Sequence, residues 1–217
     1  MHHKETYISS QTGKQRPSKK PSQKSNTATR TCRICQKSIH DSNWKNFIFG
    51  GEFICQKCYY ELQPDPKTFT SCGIRCQFVY TYGETIQKTI DSFLQKEERT
   101  MGPAFIDYIS FYLRVRFKDY TIVPLFEKGY DPSFCPAEAI FSPFGFSVRE
   151  LFDEEENSKE GGGKTILKLR ETVSKMPKRI LFSACLFDFE MFRKAVQITR
   201  GLGISKIHGL FLTKKEK

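Results

Sequence analysis

The sequence of 217 residues lacks any apolar run long enough to cross a membrane. Its longest candidate, ILFSACLF at residues 180–187, has the length of a strand, whereas a spanning helix needs at least about 18 apolar residues. The first residues, MHHKETYISSQTGK, also lack the apolar segment of a signal peptide. We therefore expect a cytoplasmic protein without a transmembrane segment, whose cysteines stay reduced or bind metal rather than form disulfides.

Residues 1–30 have almost no large apolar side chains, and Glu5 is their only acid. Such a segment cannot bury enough apolar surface to offset the entropy of ordering it, so we predict a disordered basic tail. The formal charge of the whole chain, +11 at pH 7, favours a polyanionic partner, either nucleic acid or an anionic membrane. We expect sequence-tolerant contacts with single-stranded DNA, and the alternative is a solvated tail that only aids solubility. The candidate DNA-binding residues are Lys14, Arg16, Lys19, Lys20, Lys24 and Arg30.

Apolar residues are frequent beyond the tail, and the 20 phenylalanines of the chain are enough to build a packed core. Strand-like runs alternate with segments of helical periodicity, and this alternation predicts a mostly parallel sheet with helices on both faces. The strand-like runs are residues 77–82, 120–126, 146–152, 179–187 and 206–212, and the helical segments are 84–96, 104–117 and 190–203.

The chain divides into three parts by composition. We assign residues 1–30 to the tail, 31–75 to a zinc-ribbon module and linker, and 76–217 to the α/β domain. The linker is QPDPKTFTSCG at 63–73, with two prolines and polar filler. The acidic, glycine-rich DEEENSKEGGGK at 153–164 is predicted to be a mobile loop.

Two Cys-x2-Cys pairs, CRIC at 32–35 and CQKC at 55–58, are separated by 19 residues. Thiolates two residues apart on a tight turn converge on a tetrahedral ion, and two such turns give a closed four-sulfur shell. A module of about 30 residues also has too little core to fold without such a metal. The alternative is a set of reduced structural cysteines. We predict one structural Zn²⁺ ion, bound by Cys32, Cys35, Cys55 and Cys58.

The other cysteines carry weaker signals. Cys72 and Cys76 have a spacing that a second metal could use, but no other convincing pair remains to complete the site. Cys135 and Cys185 could be nucleophiles, yet the only histidine beyond residue 40, His208, lies in a predicted strand with no evident link to either. We therefore interpret Cys135 and Cys185 as buried, inert thiols.

The two cysteine pairs, Ile122-Val123-Pro124 and the stretch 179–213 resemble the ComF/ComFC family of bacterial competence proteins. The resemblance covers about residues 31–214. It implies a zinc finger joined to a type I phosphoribosyltransferase-like α/β domain, with a role in the uptake of transforming DNA. It also implies a DNA-translocating helicase of the ComFA type as partner.

The sequence departs from that family at its most diagnostic motif. In the family, a hydrophobic strand precedes two acids that hold the ribose of phosphoribosyl pyrophosphate and a Thr-Thr-Gly-x-Thr turn that wraps its phosphate. Here Ala184 and Cys185 stand at the acidic pair, and Asp188-Phe189-Glu190-Met191-Phe192 replaces the turn. Asp188 is suited to cap the helix that follows it. A carboxylate about 4 Å from a phosphate also repels it by roughly 1 kcal/mol in water, so we expect this segment not to bind the phosphate.

A second departure follows Pro124, where the family carries several arginines that fit the pyrophosphate and this chain has LFEKGYDPS. We therefore expect no catalytic residues and a non-enzymatic, DNA-associated adaptor of DNA uptake. Two alternatives remain open: an active phosphoribosyltransferase with an unorthodox loop, and a zinc-ribbon nucleic-acid-binding protein of another pathway.

Overall fold

The structure is a computed structural model, and it describes residues 30–39, 51–125, 133–157, 164–171 and 175–214. Arg30 is exposed, whereas the other candidate DNA-binding residues, Lys14, Arg16, Lys19, Lys20 and Lys24, lie outside the described residues. Most of the arginine-poor segment after Pro124 also lies outside them.

The α-helices are α1 (Gln56–Glu61), α2 (Glu84–Gln95), α3 (Ser110–Phe117), α4 (Pro136–Phe141) and α5 (Phe189–Gly201). Short 3₁₀ helices span Arg99–Phe105, Asp107–Ile109 and Ser142–Phe144. The strands are β1 (Pro64–Ser71), β2 (Ile74–Tyr80), β3 (Thr121–Pro124), β4 (Phe152–Asn157), β5 (Lys164–Leu169), β6 (Arg179–Phe187) and β7 (Lys206–Lys214). None of the helices in the described part of the chain has the length and apolarity that a membrane crossing requires.

Five strands form the central sheet in the order β1-β2-β7-β6-β3. The four strands from β2 to β3 are parallel, and β1 pairs antiparallel with β2 at the edge. The central strands β6 and β7 are almost wholly buried, which explains why they read as continuous apolar runs. The predicted α/β architecture with a mostly parallel sheet is confirmed.

The sheet separates two hydrophobic cores. Successive residues of a strand face opposite sides, and Leu181 accordingly packs into one core and Phe182 into the other. The first core contains the buried sides of α1 to α4 and the 3₁₀ helix Arg99–Phe105. The second core contains the buried side of α5, together with Phe152 and Leu167 from the β4–β5 hairpin. Helices therefore cover both faces of the sheet.

The interpretation of residues 63–73 as a linker is wrong, because β1 occupies most of this stretch. Its two prolines lie at an irregularity where the register shifts between Pro64 and Lys67. Prolines are tolerated in an edge strand such as β1, at its first residue or where the register is irregular. Phe69 stacks on Phe78 of β2 with the ring centroids 4.4 Å apart, which ties the strand to the second core.

Two other predictions of secondary structure are also wrong. The acidic part of the stretch predicted to be a loop, residues 153–157, lies in β4, which pairs with β5 from Phe152↔Leu169 to Asn157↔Lys164. Residues 158–163 of that stretch lie outside the described residues. The strand predicted at 146–152 is reduced to an isolated bridge between Val148 and Ile122. The buried residues Phe152 and Leu167 explain the hairpin, because each places an apolar side chain in the second core.

The helix predicted at 104–117 is broken. Two 3₁₀ helices precede α3, which begins only at Ser110. Pro103 lies within the first of them, and a Cβ atom on Gly102 would stand 2.5 Å from the Ala139 carbonyl oxygen. This close approach to α4 fixes a backbone path that a continuous helix does not follow.

Candidate metal centre

The first cysteine pair lies on a tight turn. Thr31 and Ser38 form an antiparallel bridge, and between them the Cys32 amide donates a 2.8 Å hydrogen bond to the Lys37 carbonyl oxygen. Gln36 adopts a left-handed backbone (φ 58°) and donates its amide to the Cys32 carbonyl oxygen at 2.8 Å. These bonds reverse the chain directly after Cys35 and hold both thiols on one turn.

The second pair lies at the start of a helix, so the prediction of two equivalent turns is wrong for it. Cys55 is the N-cap residue of α1, and Cys58 follows in the first turn. The Tyr59 amide donates to the Cys55 carbonyl oxygen at 3.0 Å. Side chains three positions apart share a helix face, and the positive end of the helix dipole favours thiolates there. The first turn of α1 therefore brings Cys55 and Cys58 together, in place of the tight turn that we predicted.

The four predicted ligands form one cluster. The sulfur atoms of Cys32, Cys35, Cys55 and Cys58 all lie within 4.8 Å of one another, and those of Cys35 and Cys55 are 3.8 Å apart. Four thiolates about 2.3 Å from a tetrahedral ion stand roughly 3.8 Å from one another, whereas a disulfide needs about 2.05 Å. The cluster can therefore hold a metal ion and is too open for a disulfide.

The thiols of the cluster differ in acidity. Burial raises the pKa of Cys32, but hydrogen bonds from the backbone near Cys35, Cys55 and Ile34 outweigh it and lower this pKa to about 7. Burial raises the pKa of Cys58 and of Cys55. A metal ion binds thiolates, so its positive charge would replace the protons that the buried thiols otherwise keep.

We call residues 30–39 and 51–62 the metal module, and a buried carboxylate joins it to the rest of the protein. Asp107, which is 1% exposed, accepts hydrogen bonds from the amides of Phe53 at 2.8 Å and Ile54 at 3.2 Å. Burial raises the pKa of Asp107, although the amides of residues 51–54 oppose the shift. Because Ile54 precedes Cys55, this carboxylate fixes the backbone that leads into the second cysteine pair.

Apolar contacts also join the metal module to the α/β fold. Ile54 and Leu62 belong to the first core, together with residues of α2, α3 and α4. The Tyr59 ring stacks on Tyr108 with centroids 4.1 Å apart, and Phe53 meets Phe144 edge-on at 5.6 Å. The sequence indicated neither these contacts nor the role of Asp107. Its only signal was one acid within the otherwise apolar run that follows Pro103.

The remaining cysteines do not form a second centre in the part of the chain that the structure describes. Cys72 lies in the β1–β2 turn, and Cys76 is buried in β2. Burial raises the pKa of Cys135 to about 11. Cys185 is fully buried within β6. Burial likewise raises the pKa of Cys76 to about 12, so neither Cys76 nor Cys135 favours a thiolate at neutral pH.

The segment that departs from the phosphoribosyltransferase motif passes from strand to helix with one residue between them. Ala184 and Cys185 are buried inside β6, and Asp188 is the N-cap residue of α5. One Asp188 carboxylate oxygen accepts a 2.9 Å hydrogen bond from the Met191 amide, as we predicted for this cap. Glu190 pairs with Arg193 at 2.6 Å. The helix is thus capped by its own Asp188 carboxylate.

No model of a known protein family matches the chain, and no curated protein is significantly similar to it.

Proposed function

We propose that this protein is a non-enzymatic adaptor of DNA uptake. In this proposal, the phosphoribosyltransferase-like domain is a scaffold without catalytic residues, and the metal module holds one structural zinc ion. The observation that carries the proposal is the self-capped start of α5, where Asp188 occupies the position that a substrate phosphate would need.

The electrostatics of that helix end argue against phosphoribosyl transfer. A phosphate at the start of α5 would have to displace the Asp188 carboxylate from the Met191 amide. It would then meet repulsion of roughly 1 kcal/mol per carboxylate at 4 Å in water, and several at the lower effective dielectric of a pocket. Ala184 and Cys185 have no carboxylate to hold a ribose, and both are buried. Binding of the substrate is therefore unfavourable at both of its ends.

Zinc is the metal that the cluster fits best. Four cysteine sulfurs in a small shell are typical of structural Zn²⁺ sites, and soft thiolates disfavour magnesium and calcium. With all four positions filled, the ion supplies a cross-link rather than a reactive site. Cys32, Cys35, Cys55 and Cys58 would hold it.

The proposed partners are DNA and a DNA-translocating helicase of the ComFA type. The support for them is the net charge of +11 and the resemblance to the ComF/ComFC family. A zinc-dependent nucleic-acid-binding protein of another pathway is the second candidate. The metal module and the basic charge support this second candidate as well as the adaptor. The two candidates differ in that the second has no helicase partner.

Calorimetric titration with phosphoribosyl pyrophosphate and Mg²⁺ tests the absence of enzymatic activity. We expect no saturable binding at millimolar ligand, and a micromolar dissociation constant would overturn the proposal. The variant Asp188→Thr with Glu190→Gly is the matched control. It removes both acids from the helix start but leaves Ala184 and Cys185, so we expect it to remain inactive.

Co-purification with the helicase encoded by the same organism tests the adaptor role. We expect the wild-type protein to retain the helicase in a pull-down. A protein that binds oligonucleotides but retains no helicase would favour the second candidate and exclude the adaptor role.

A further inference from the structure

We propose that the edge of the sheet at which the parallel strands begin is a binding surface for single-stranded nucleic acid. This inference locates the proposed DNA association in the folded part of the chain, and it rests on that proposed function only for the choice of partner. We call the surface the amino-edge surface. Its basic residues are Arg75, Arg116, Lys118, Lys178, Arg179 and Lys206.

The topology brings these six residues together. Parallel strands start at the same edge of a sheet, so Arg75 of β2, Lys206 of β7 and Arg179 of β6 all lie near that edge. The register of β2 and β7 places Arg75 level with His208, two residues further along β7 than Lys206. Arg179 and Lys206 are direct partners in the register of β6 and β7. Helix α3 ends just before β3 starts, and it brings Arg116 and Lys118 to the same edge.

Contacts around His208 bring Arg116 and Arg179 close to one another. His208 of β7 lies 5.5 Å from the ring centroids of both Phe117 and Tyr120. The Arg116 guanidinium stands over the Phe117 ring at 5.5 Å, and Arg179 stands over Tyr120 at 5.9 Å. The pKa of His208 is lowered by burial and by the positive charges of Arg116 and Arg75. Arg116 and Arg75 therefore both lie near His208.

The positive charge of this surface is poorly neutralised. Asp119 pairs with Arg179 at 3.1 Å, but no ion pair among the described residues involves Arg75, Lys118, Lys178 or Lys206. Acids lie instead at the opposite edge of the sheet, where Asp188 and Glu190 follow the end of β6. Clustered, unpaired cations on one edge are the electrostatic footprint of a nucleic-acid contact.

Exposed aromatic residues adjoin the cations along α3. Phe111 is 49% exposed and Tyr112 is 43% exposed. Arg116, one turn after Tyr112, lies over the Tyr112 ring at 5.7 Å and donates a hydrogen bond to its hydroxyl oxygen. Bases of a single strand stack on such rings without regard to sequence, and arginine adds cation–π attraction.

The same features favour nucleic acid over an anionic membrane. Helix α3 is only eight residues long, and its exposed apolar side chains are Phe111, Tyr112 and Val115, of which Tyr112 contacts Arg116. A membrane-binding helix needs a broad apolar face to insert below the headgroups. Here the cations also extend beyond the helix onto three strands, which gives a track for a phosphate backbone rather than a face that inserts.

Fluorescence anisotropy with a labelled oligothymidylate of about 20 nucleotides tests the proposal on the chain of 217 residues. The charge variant is Lys118→Glu with Lys206→Glu. We expect about tenfold weaker binding at low salt, because two phosphate contacts are lost. The slope of log affinity against log salt should flatten by about 1 to 2.

The aromatic variant is Phe111→Ala with Tyr112→Ala. We expect at least about 30-fold weaker binding with an unchanged salt slope, since two stacking rings rather than charges are removed. The matched control is Lys67→Glu with Lys88→Glu, which changes net charge equally at exposed lysines away from the amino edge. Unchanged circular dichroism and Tm verify the fold of every variant.

Four results would overturn the proposal. If the charge variant and its control lost the same amount of oligonucleotide affinity, the effect would come from net charge and not from the amino-edge surface. Unchanged binding in both edge variants would place the contact elsewhere and leave the DNA association intact. Absence of oligonucleotide binding by the wild type would refute the surface, and the helicase pull-down would remain a separate test of the adaptor role. If the edge variants no longer sedimented with phosphatidylserine vesicles, as the wild type did, but still bound the oligonucleotide normally, the surface would be a membrane-binding surface.

Discussion

The two faces of the central sheet are stabilised in different ways. On one face, the metal module and α2 to α4 share a core that includes Cys32 and Cys58, and the buried Asp107 carboxylate lies nearby. On the other face, the second core relies on aromatic packing, in which Phe192 and Phe211 meet edge-on at 5.6 Å. The first face therefore adds a buried carboxylate and a four-cysteine cluster to its apolar core, whereas the second face relies on the fit of its apolar side chains.

This difference predicts how each face fails. Apolar packing is distributed, so the loss of one ring leaves a cavity but keeps the remaining contacts. A metal shell is all-or-none, because three thiolates without their fourth partner bind weakly and leave buried polar groups. The predictions below test this contrast from the largest expected effect to the smallest.

Removal of one ligand by Cys55→Ser should have the largest effect. Structural zinc supplies about 10–16 kcal/mol in small zinc-finger peptides, and much of that stabilisation would be lost here. Elemental analysis should show the loss of one zinc ion per chain. Because the metal module shares the first core, we expect faster hydrogen exchange in residues 51–62 and also around Asp107.

Cys135→Ser is the control for this prediction, since Cys135 lies outside the cluster. It should keep its zinc and its exchange pattern. Unchanged zinc content in Cys55→Ser would refute the metal assignment. Exchange that accelerates only within residues 51–62 would show that the module folds independently of the first core.

Truncation of a ring in the second core should cost about 3–5 kcal/mol in the free energy of unfolding. Phe192 of α5 is fully buried, so Phe192→Ala leaves a large cavity. Urea denaturation measures the loss, and zinc content should stay at one ion per chain. Phe189→Ala is the matched control on the same helix, because Phe189 is 51% exposed and its loss should change stability by less than about 0.5 kcal/mol. Equal destabilisation by the two variants would contradict the two-core description.

Loss of the buried carboxylate by Asp107→Ala should cost about 1–3 kcal/mol, because the amides of Phe53 and Ile54 would lose their acceptor. Urea denaturation and the rate of zinc transfer to a chelator measure this effect. We expect zinc release to accelerate, since the backbone before Cys55 is no longer held. Asp107→Asn keeps one acceptor oxygen and should be milder.

Asp119→Ala serves as the exposed counterpart of this substitution, because the Asp119–Arg179 pair is open to solvent and should contribute at most about 1 kcal/mol. Zinc release as slow in Asp107→Ala as in Asp119→Ala would show that the Asp107 carboxylate does not position the metal module.

The contrast between local and distant contacts also explains what the sequence could predict. Each cysteine pair and the Asp188 cap depend on residues a few positions apart. The four cysteines form one cluster, although the second pair lies on a helix rather than on a turn, and Asp188 caps α5 as predicted. The role of Asp107 depends on amides 53 and 54 positions away, so no local pattern indicated it. The prolines of β1 suggested a linker because the sequence does not show that this strand lies at an edge.

The smallest effect should come from the start of α5. Asp188→Ala removes the acceptor for the Met191 amide, and the loss of an N-cap typically costs about 1 kcal/mol. Asp188→Asn should restore most of this stability, because asparagine caps a helix equally well. Glu190→Gln, which only weakens an exposed pair with Arg193, should change stability by less than about 0.5 kcal/mol.

Thermal unfolding of these three variants distinguishes a cap from a general charge effect. If negative charge near the helix dipole were the main contribution, Asp188→Asn and Glu190→Gln would destabilise α5 by similar amounts. If the hydrogen bond dominates, only Asp188→Ala lowers the Tm measurably. The second result is the one we expect, because the 2.9 Å bond to the Met191 amide is satisfied by a neutral oxygen as well as by a charged one.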